Sequence, residues 1–152
     1  MRRPRAVVFI EFAMIFPLFL FLSLLAVDTG RWVLARAELQ DATQQAARTG
    51  AQAGGARVQI DGCGGFGASE CAFRSALQGY GFPTSEIPTP VVKSGSSCSG
   101  SDRYVTISAS IEAPRPIAPG LASFLGIIHP GDGGAVKLSA TSVALCEITS
   151  PG

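Results

Sequence analysis

Four cysteines, one histidine and a single carboxylate set inside an apolar run are the residues of this chain whose types could do chemistry. The carboxylate is Glu11, the one charged residue between Val7 and Val27. A charge at membrane depth costs roughly 2.5–3.5 kcal/mol at a helix centre on insertion scales, and less near an end. Such an acid calls for a positive partner. Cleavage before Val7 would create an α-amine at the head of a helix, with Glu11 one turn away. That amine, or one from a neighbouring subunit, would neutralise the acid and set subunit register. The plainer alternative is that Glu11 lies close enough to the headgroups to be tolerated without a role.

Cys63, Cys71, Cys98 and Cys146 all follow the apolar run. An even count in a domain outside the cytoplasm suggests two disulfides. Three pairings are possible. Cys63 with Cys71, closing a short loop, and Cys98 with Cys146, tying a flexible loop to the last strand, is the favoured set. Each bridge would contribute about 2–4 kcal/mol. No CxxC occurs and there is one His, so zinc-ligand spacing is missing and no metal site is expected.

Other signals resemble catalytic ones more weakly. Gly62–Cys63–Gly64–Gly65–Phe66–Gly67 fits GxGxxG, and Glu86 follows about where a ribose-binding acid would stand. The domain is too short for a doubly wound sheet, and a cysteine interrupts the loop, so a disulfide-tied glycine loop is the simpler account. His129 is the one candidate His base and falls in a Pro/Gly turn. No GxSxG elbow and no paired-carboxylate motif occurs. The expectation is no enzyme, no cofactor and no small-molecule substrate.

The elements that carry these residues divide simply. Val7–Val27 is 21 residues, about 31 Å as a helix, which matches the hydrocarbon thickness of a bilayer. Arg2, Arg3 and Arg5 mark its N-terminal side as cytoplasmic. Arg31 and Arg36 flank the other end, with Asp28 beside them and Trp32 at interfacial depth. Pro17 should kink the segment. A cleaved signal peptide is the competing reading, but the apolar core is long and no small-x-small site follows it. Instead a helical pattern continues. Leu34, Ala37, Asp41 and Gln45 recur at helix-face spacing, Ala42, Ala46 and Ala47 follow, and Gly54–Gly55 supply a stop.

Beyond the helix the chain is rich in Gly, Ser, Ala and Pro. Arg57–Asp61 is expected as a short strand. Ser69 is expected to cap a helix ended by Gly79, with Ala72, Phe73, Ala76 and Leu77 on one side. Residues 81–90 and 93–101 read as loops. Tyr104–Ala113 alternates, with Val105, Ile107, Ala109 and Ile111 on one face, which predicts a half-buried strand. Ala135–Ile148 reads as a second, antiparallel strand. Between them, Leu121–Ile128 is a short apolar patch and His129–Gly134 a turn cluster. The fold class is α+β: a long N-terminal helix packed on a small antiparallel sheet. The segments are a basic leader at 1–6, a transmembrane helix at 7–27, its extracytoplasmic continuation at 28–55, and a disulfide-stapled domain at 56–152. Net charge is +1, and without the three leading arginines the remainder is mildly acidic, so no nucleic-acid surface is expected.

Ala6, Val7 and Glu11 together resemble the class III-type signal of type IV pilins, in which a small residue precedes an apolar helix with Glu at its fifth position. Glu11–Phe12–Ala13, Pro17, Gly30–Arg31, Leu39–Gln40–Asp41–Ala42 and Ala46–Ala47–Arg48 are similar to the TadE-like minor pilins, or pseudopilins, of tight-adherence (Tad, Flp-type) pili. Leu138–Ala144 is similar, less specifically, to their final strand. Ala6 stands where Gly is usual in that family. The resemblance implies a pilin-like fold and a single-pass bacterial inner-membrane protein with its C-terminal domain outside. It also implies cleavage between Ala6 and Val7 by a prepilin peptidase, and docking through Glu11, Phe12 and Pro17. The implied partners are other pilins and the inner-membrane proteins of pilus assembly. The alternative is a signal-anchored extracytoplasmic binding or adhesion module that enters no filament.

Overall fold

The computed structural model describes residues 4–93, 96–99, 103–112 and 137–146. The Leu121–Ile128 patch and the His129–Gly134 turn lie outside the described residues. Helix α1 spans Pro4–Gln52. Helix α2 spans Ala68–Gly79, and a 3-10 turn follows at Thr84–Glu86. Strands β1 (Val91–Val92), β2 (Tyr104–Glu112) and β3 (Lys137–Leu145) form one antiparallel sheet in that order. The long helix with a small antiparallel sheet is an α+β arrangement. Two compact units divide the chain: the described residues up to Val33 fall in one, and those from Leu34 onward in the other.

The unit from Leu34 onward is built on the second half of α1. Ala35, Leu39, Ala42, Ala46 and Ala47 are buried, as are Thr43, Gly50 and Ala51. They face Phe73 and Leu77 of α2 and Val105, Ile107, Ala109 and Ile111 of β2. The Leu34–Ala37–Asp41–Gln45 row, whose spacing predicted helix, is helical as expected, and the buried stripe lies on another side of α1. Leu34 and Ala37 are exposed and Asp41 is half-buried. Both rows obey helical spacing, so periodicity alone does not choose between them. The sheet selects the alanine row, because small side chains let it approach the helix backbone.

Both helices end in the same way. Gly55 N donates to Gly50 O at 2.8 Å, and Gly54, at φ +80°, donates to Ala51 O. At α2, Phe82 N donates to Leu77 O at 3.1 Å, and Gly81, at φ +89°, donates to Gln78 O. Each is a Schellman ending, whose left-handed residue favours glycine. The stop for α2 is therefore Gly81, not Gly79 as expected; Gly79 is the last helical residue. Phe82 packs on the core beside Leu77.

The start of α2 also departs from expectation. Its N-cap is Gly67, and Ser69 lies inside the first turn. Backbone carbonyls do the capping: Ala68 N donates to Val58 O at 2.7 Å and Ser69 N to Ala56 O at 3.2 Å. This requires close approach, since a Cβ on Gly67 would lie 2.8 Å from Ala56 O. Residues 56–60 thus serve as a capping segment. In place of the expected Arg57–Asp61 strand there is a single bridge, Gln59 to Gly67.

The two strands follow the expected alternation. Val105, Ile107, Ala109 and Ile111 are buried, and β3 pairs with β2 from Tyr104↔Leu145 to Glu112↔Lys137. The sequence reading did not include β1, whose two residues are too few to show a period.

The cysteines pair as Cys63–Cys71 and Cys98–Cys146, closing separations of 8 and 48 residues. The first ties the glycine loop to α2. The second ties residues 96–98 to the end of β3.

Two expectations follow for the full chain in detergent. Chain entropy assigns about 2.5 kcal/mol to the shorter loop and about 4 kcal/mol to the longer. Urea unfolding should therefore show Cys98→Ala/Cys146→Ala to be more destabilising than Cys63→Ala/Cys71→Ala. Separately, a Cβ on Gly50 would lie 2.1 Å from Ser69 Oγ, a buried hydroxyl with no hydrogen-bond partner among the described residues. Gly50→Ala should cost about 1–3 kcal/mol by overpacking. Ser69→Ala should be near neutral on its own, and the double variant should recover part of the loss. Additive effects in that cycle would contradict the contact.

Candidate assembly helix

In the first half of α1, every described residue from Phe9 to Leu20 is exposed. Phe9 and Met14 are each 77% exposed and Phe19 65%. The stretch is long and apolar enough to cross a membrane, and none of its most apolar window is buried. A core helix of that composition would be covered by its own domain. One that is apolar all round and uncovered requires lipid or other helices. It has the form of a single-pass membrane anchor.

The polar groups of this stretch are satisfied within the helix. Ser23 Oγ donates to Phe19 O and Thr29 Oγ1 to Leu25 O, each at 2.8 Å. Such back-bonding is what a hydroxyl does where water is absent. α1 runs through Pro17 as one helix. The ring removes the donor that Ala13 O would otherwise receive. Phe12 and Phe16 stack with centroids 5.4 Å apart, one turn from each other on the same side. At the far end Arg31 and Asp28 approach to 4.0 Å.

Glu11 is the exception. It is exposed on the helix and makes no ion pair or hydrogen bond among the described residues. Phe12 lies beside it and Pro17 less than two turns on; Ala6 and Val7 fall in the first turn of α1. One helix thus carries all the residues expected to take part in cleavage and docking.

Residues 6–48 match the family model described as TadE-like protein. Over these 43 of its 152 residues the chain is similar to that family. No curated protein and no solved structure matches the chain. The TadE-like match covers the apolar stretch, Glu11, Pro17 and the alanine stripe through Ala47. The sheet and both disulfides lie beyond it.

The second half of the TadE-like segment is anchored in its domain by two polar contacts besides the alanine packing. Thr43 Oγ1 donates to Gln40 O at 2.9 Å and lies 2.9 Å from Ser142 Oγ. With its one hydrogen committed to Gln40, Thr43 accepts from Ser142, a buried link from α1 to β3. The sequence reading missed it because neither residue belongs to an apolar pattern. The other contact is on the surface: Tyr80 Oη donates to Asp41, which also accepts from Gln45 Nε2 at 2.8 Å.

The glycine loop has no dinucleotide-site geometry. No strand precedes it, and Cys63–Cys71 holds it against α2. Arg74 stacks over Phe66 at 4.5 Å and pairs with Glu70 at 3.1 Å. No group of three or more metal-ligating side chains occurs among the described residues.

The Asp41 hydrogen bond, then desolvation and the charges of Asp41 and Glu38, raise the Tyr80 phenol above its ordinary 10.0. A raised folded value means the contact's contribution is complete below the unfolded value and is lost as pH rises through the raised one. Ultraviolet titration should resolve one tyrosine ionising above pH 10.0. Asp41→Asn should lower it. An unchanged titration would exclude the Tyr80–Asp41 pair.

Proposed function

We propose that this chain is a minor pilin or pseudopilin that takes part in assembly of a Tad-type pilus. A prepilin peptidase cuts between Ala6 and Val7. The mature chain spans the inner membrane once, with its N-terminus cytoplasmic and its disulfide-bonded domain outside. It docks with other pilins or inner-membrane assembly proteins through the apolar face around Phe12 and Pro17, and through Glu11.

The observation that carries this reading is the unpartnered Glu11 on an uncovered apolar helix, in a segment that matches the TadE-like family. After cleavage, the amine of Val7 and Glu11 are four residues apart, about 6 Å along the axis. Opposite charges at that spacing interact in lipid far more strongly than in water. An amine from a neighbouring helix could serve equally, which would fix the stagger between subunits. A plain anchor gains nothing from an acid at this depth and bears its insertion cost. The two cysteine bridges agree with a domain exposed to an oxidising compartment.

Intact mass and N-terminal sequencing of the protein from its host membrane should give a chain beginning at Val7. A chain beginning at Met1 would mean a signal anchor, and a start near Asp28 an ordinary signal peptide. Glu11→Ala should leave processing and membrane insertion intact and abolish pilus assembly or recruitment of partner subunits. Normal assembly by that variant would remove the docking role of Glu11.

A further inference from the structure

β3 stands at one end of the sheet, and its pairing with β2 covers all nine of its residues. In an antiparallel ladder, successive residues turn their backbone N–H and C=O groups to opposite sides. Cys146 N donates to Arg103 O at 2.9 Å, which fixes the phase. Ser142 and Ala144 therefore direct their groups toward β2. Thr141, Val143 and Leu145 direct theirs away from it. No strand pairs with that outer side among the described residues.

An open groove of about 620 Å³ follows this edge. One wall is Thr141–Leu145. The other is the row Gln40, Gln44, Arg48 and Gln52, four residues apart on α1. The walls match in length: five strand residues cover about 17 Å, and the helical rise from Gln40 to Gln52 is about 18 Å. Glutamine amides both donate and accept, so the helix wall can serve a second backbone. Among the described residues Arg48 is the one charged lining residue, and it has no ion pair there. Natural edges are blunted by proline, bulges or inward-pointing charges. Thr141–Leu145 has none of these.

We propose that this groove takes an extended segment of another protein, about five residues long, as an added strand on β3, with a carboxylate opposite Arg48. A second copy of this chain is a poorer occupant. Twofold pairing of β3 on β3 would bring two Arg48 side chains to one interface, with no acid lining either groove among the described residues. The proposal is independent of cleavage at Ala6 and of docking by Glu11.

The test uses the isotope-labelled full chain in detergent micelles. The probe is acetyl-Thr-Val-Glu-Val-Thr-Val-amide, with counterparts carrying Gln or Lys in place of Glu. In the free chain the amides of Thr141, Val143 and Leu145 should exchange fast, and those of Ser142 and Ala144 slowly. The Glu peptide should slow the first set. It should bind about fivefold tighter than the Lys peptide, the scale of one exposed ion pair, and Arg48→Glu should reverse that order. Val143→Pro removes an N–H that the sheet does not use, and should abolish binding while Ser142 stays protected. Should that variant unfold, N-methylation of the alternate peptide amides facing β3 must abolish binding instead. Outer amides already protected in the free chain would overturn the proposal. So would binding indifferent to Arg48→Glu or to the backbone blocks, failure of the probe to protect the edge, or edge protection that grows with protein concentration alone.

Discussion

The unit from Leu34 onward depends on a stripe of small residues along α1. Ala42, Ala46, Ala47, Gly50 and Ala51 bury almost no bulk of their own, and the larger side chains of the same cluster come mostly from β2 and α2. At Gly50 the approach is so close that a single methyl group would collide with Ser69 and crowd Val105. This geometry gives definite registration between helix and sheet. It also limits the hydrophobic energy available, because an alanine contributes one methyl where a leucine contributes four carbons. Among the described residues Phe73, Leu39, Leu77, Ile107 and Val105 are the largest fully buried apolar side chains.

A thin core of that kind needs other constraints, and the chain supplies them at its loops. Residues 56–58 cap α2 with backbone carbonyls. Schellman endings close both helices. The Ser96 region is held by hydrogen bonds to Ala56 and Thr106 before Cys98 ties it covalently to Cys146. The longer bridge thus joins a loop lying against the end of α1 to the residue that follows β3. Small domains commonly replace missing core with cross-links in this way. The buried Thr43–Ser142 bond adds direction, since a hydroxyl pair tolerates less sliding than methyl against methyl.

What the sequence revealed followed from periods long enough to be unambiguous. Tyr104–Glu112 alternates through nine residues, and its inward set is the observed one. The apolar run, the length of α1 and its glycine stop were equally plain, and so was the antiparallel partner at β3. The TadE-like resemblance rested on side-chain identities near Glu11 and on the alanine stripe, the region that the family match covers. The misses share one cause: the decisive contact was between segments distant in sequence. Ser69 looks like a cap until Ala56 and Val58 are seen to supply the carbonyls. Arg57–Asp61 looks like a strand until α2 takes its hydrogen bonds. Gly79 and Gly81 are both plausible stops, and only the backbone angles distinguish them.

The division of labour along α1 makes the functional reading separable from folding. No residue before Ala35 belongs to the described core, and Glu11 has no described partner to lose. Neutralising Glu11 therefore removes no interaction on which the domain depends. Any loss of assembly on Glu11→Ala falls on the helix and its partners rather than on the stability of the sheet. The converse also holds: overpacking at Gly50 or opening Cys98–Cys146 weakens the domain and leaves the apolar stretch and its acid unchanged. A chain whose docking chemistry resided in the sheet would respond in the opposite pattern. The two classes of variant thus distinguish a helix that assembles from a helix that merely anchors.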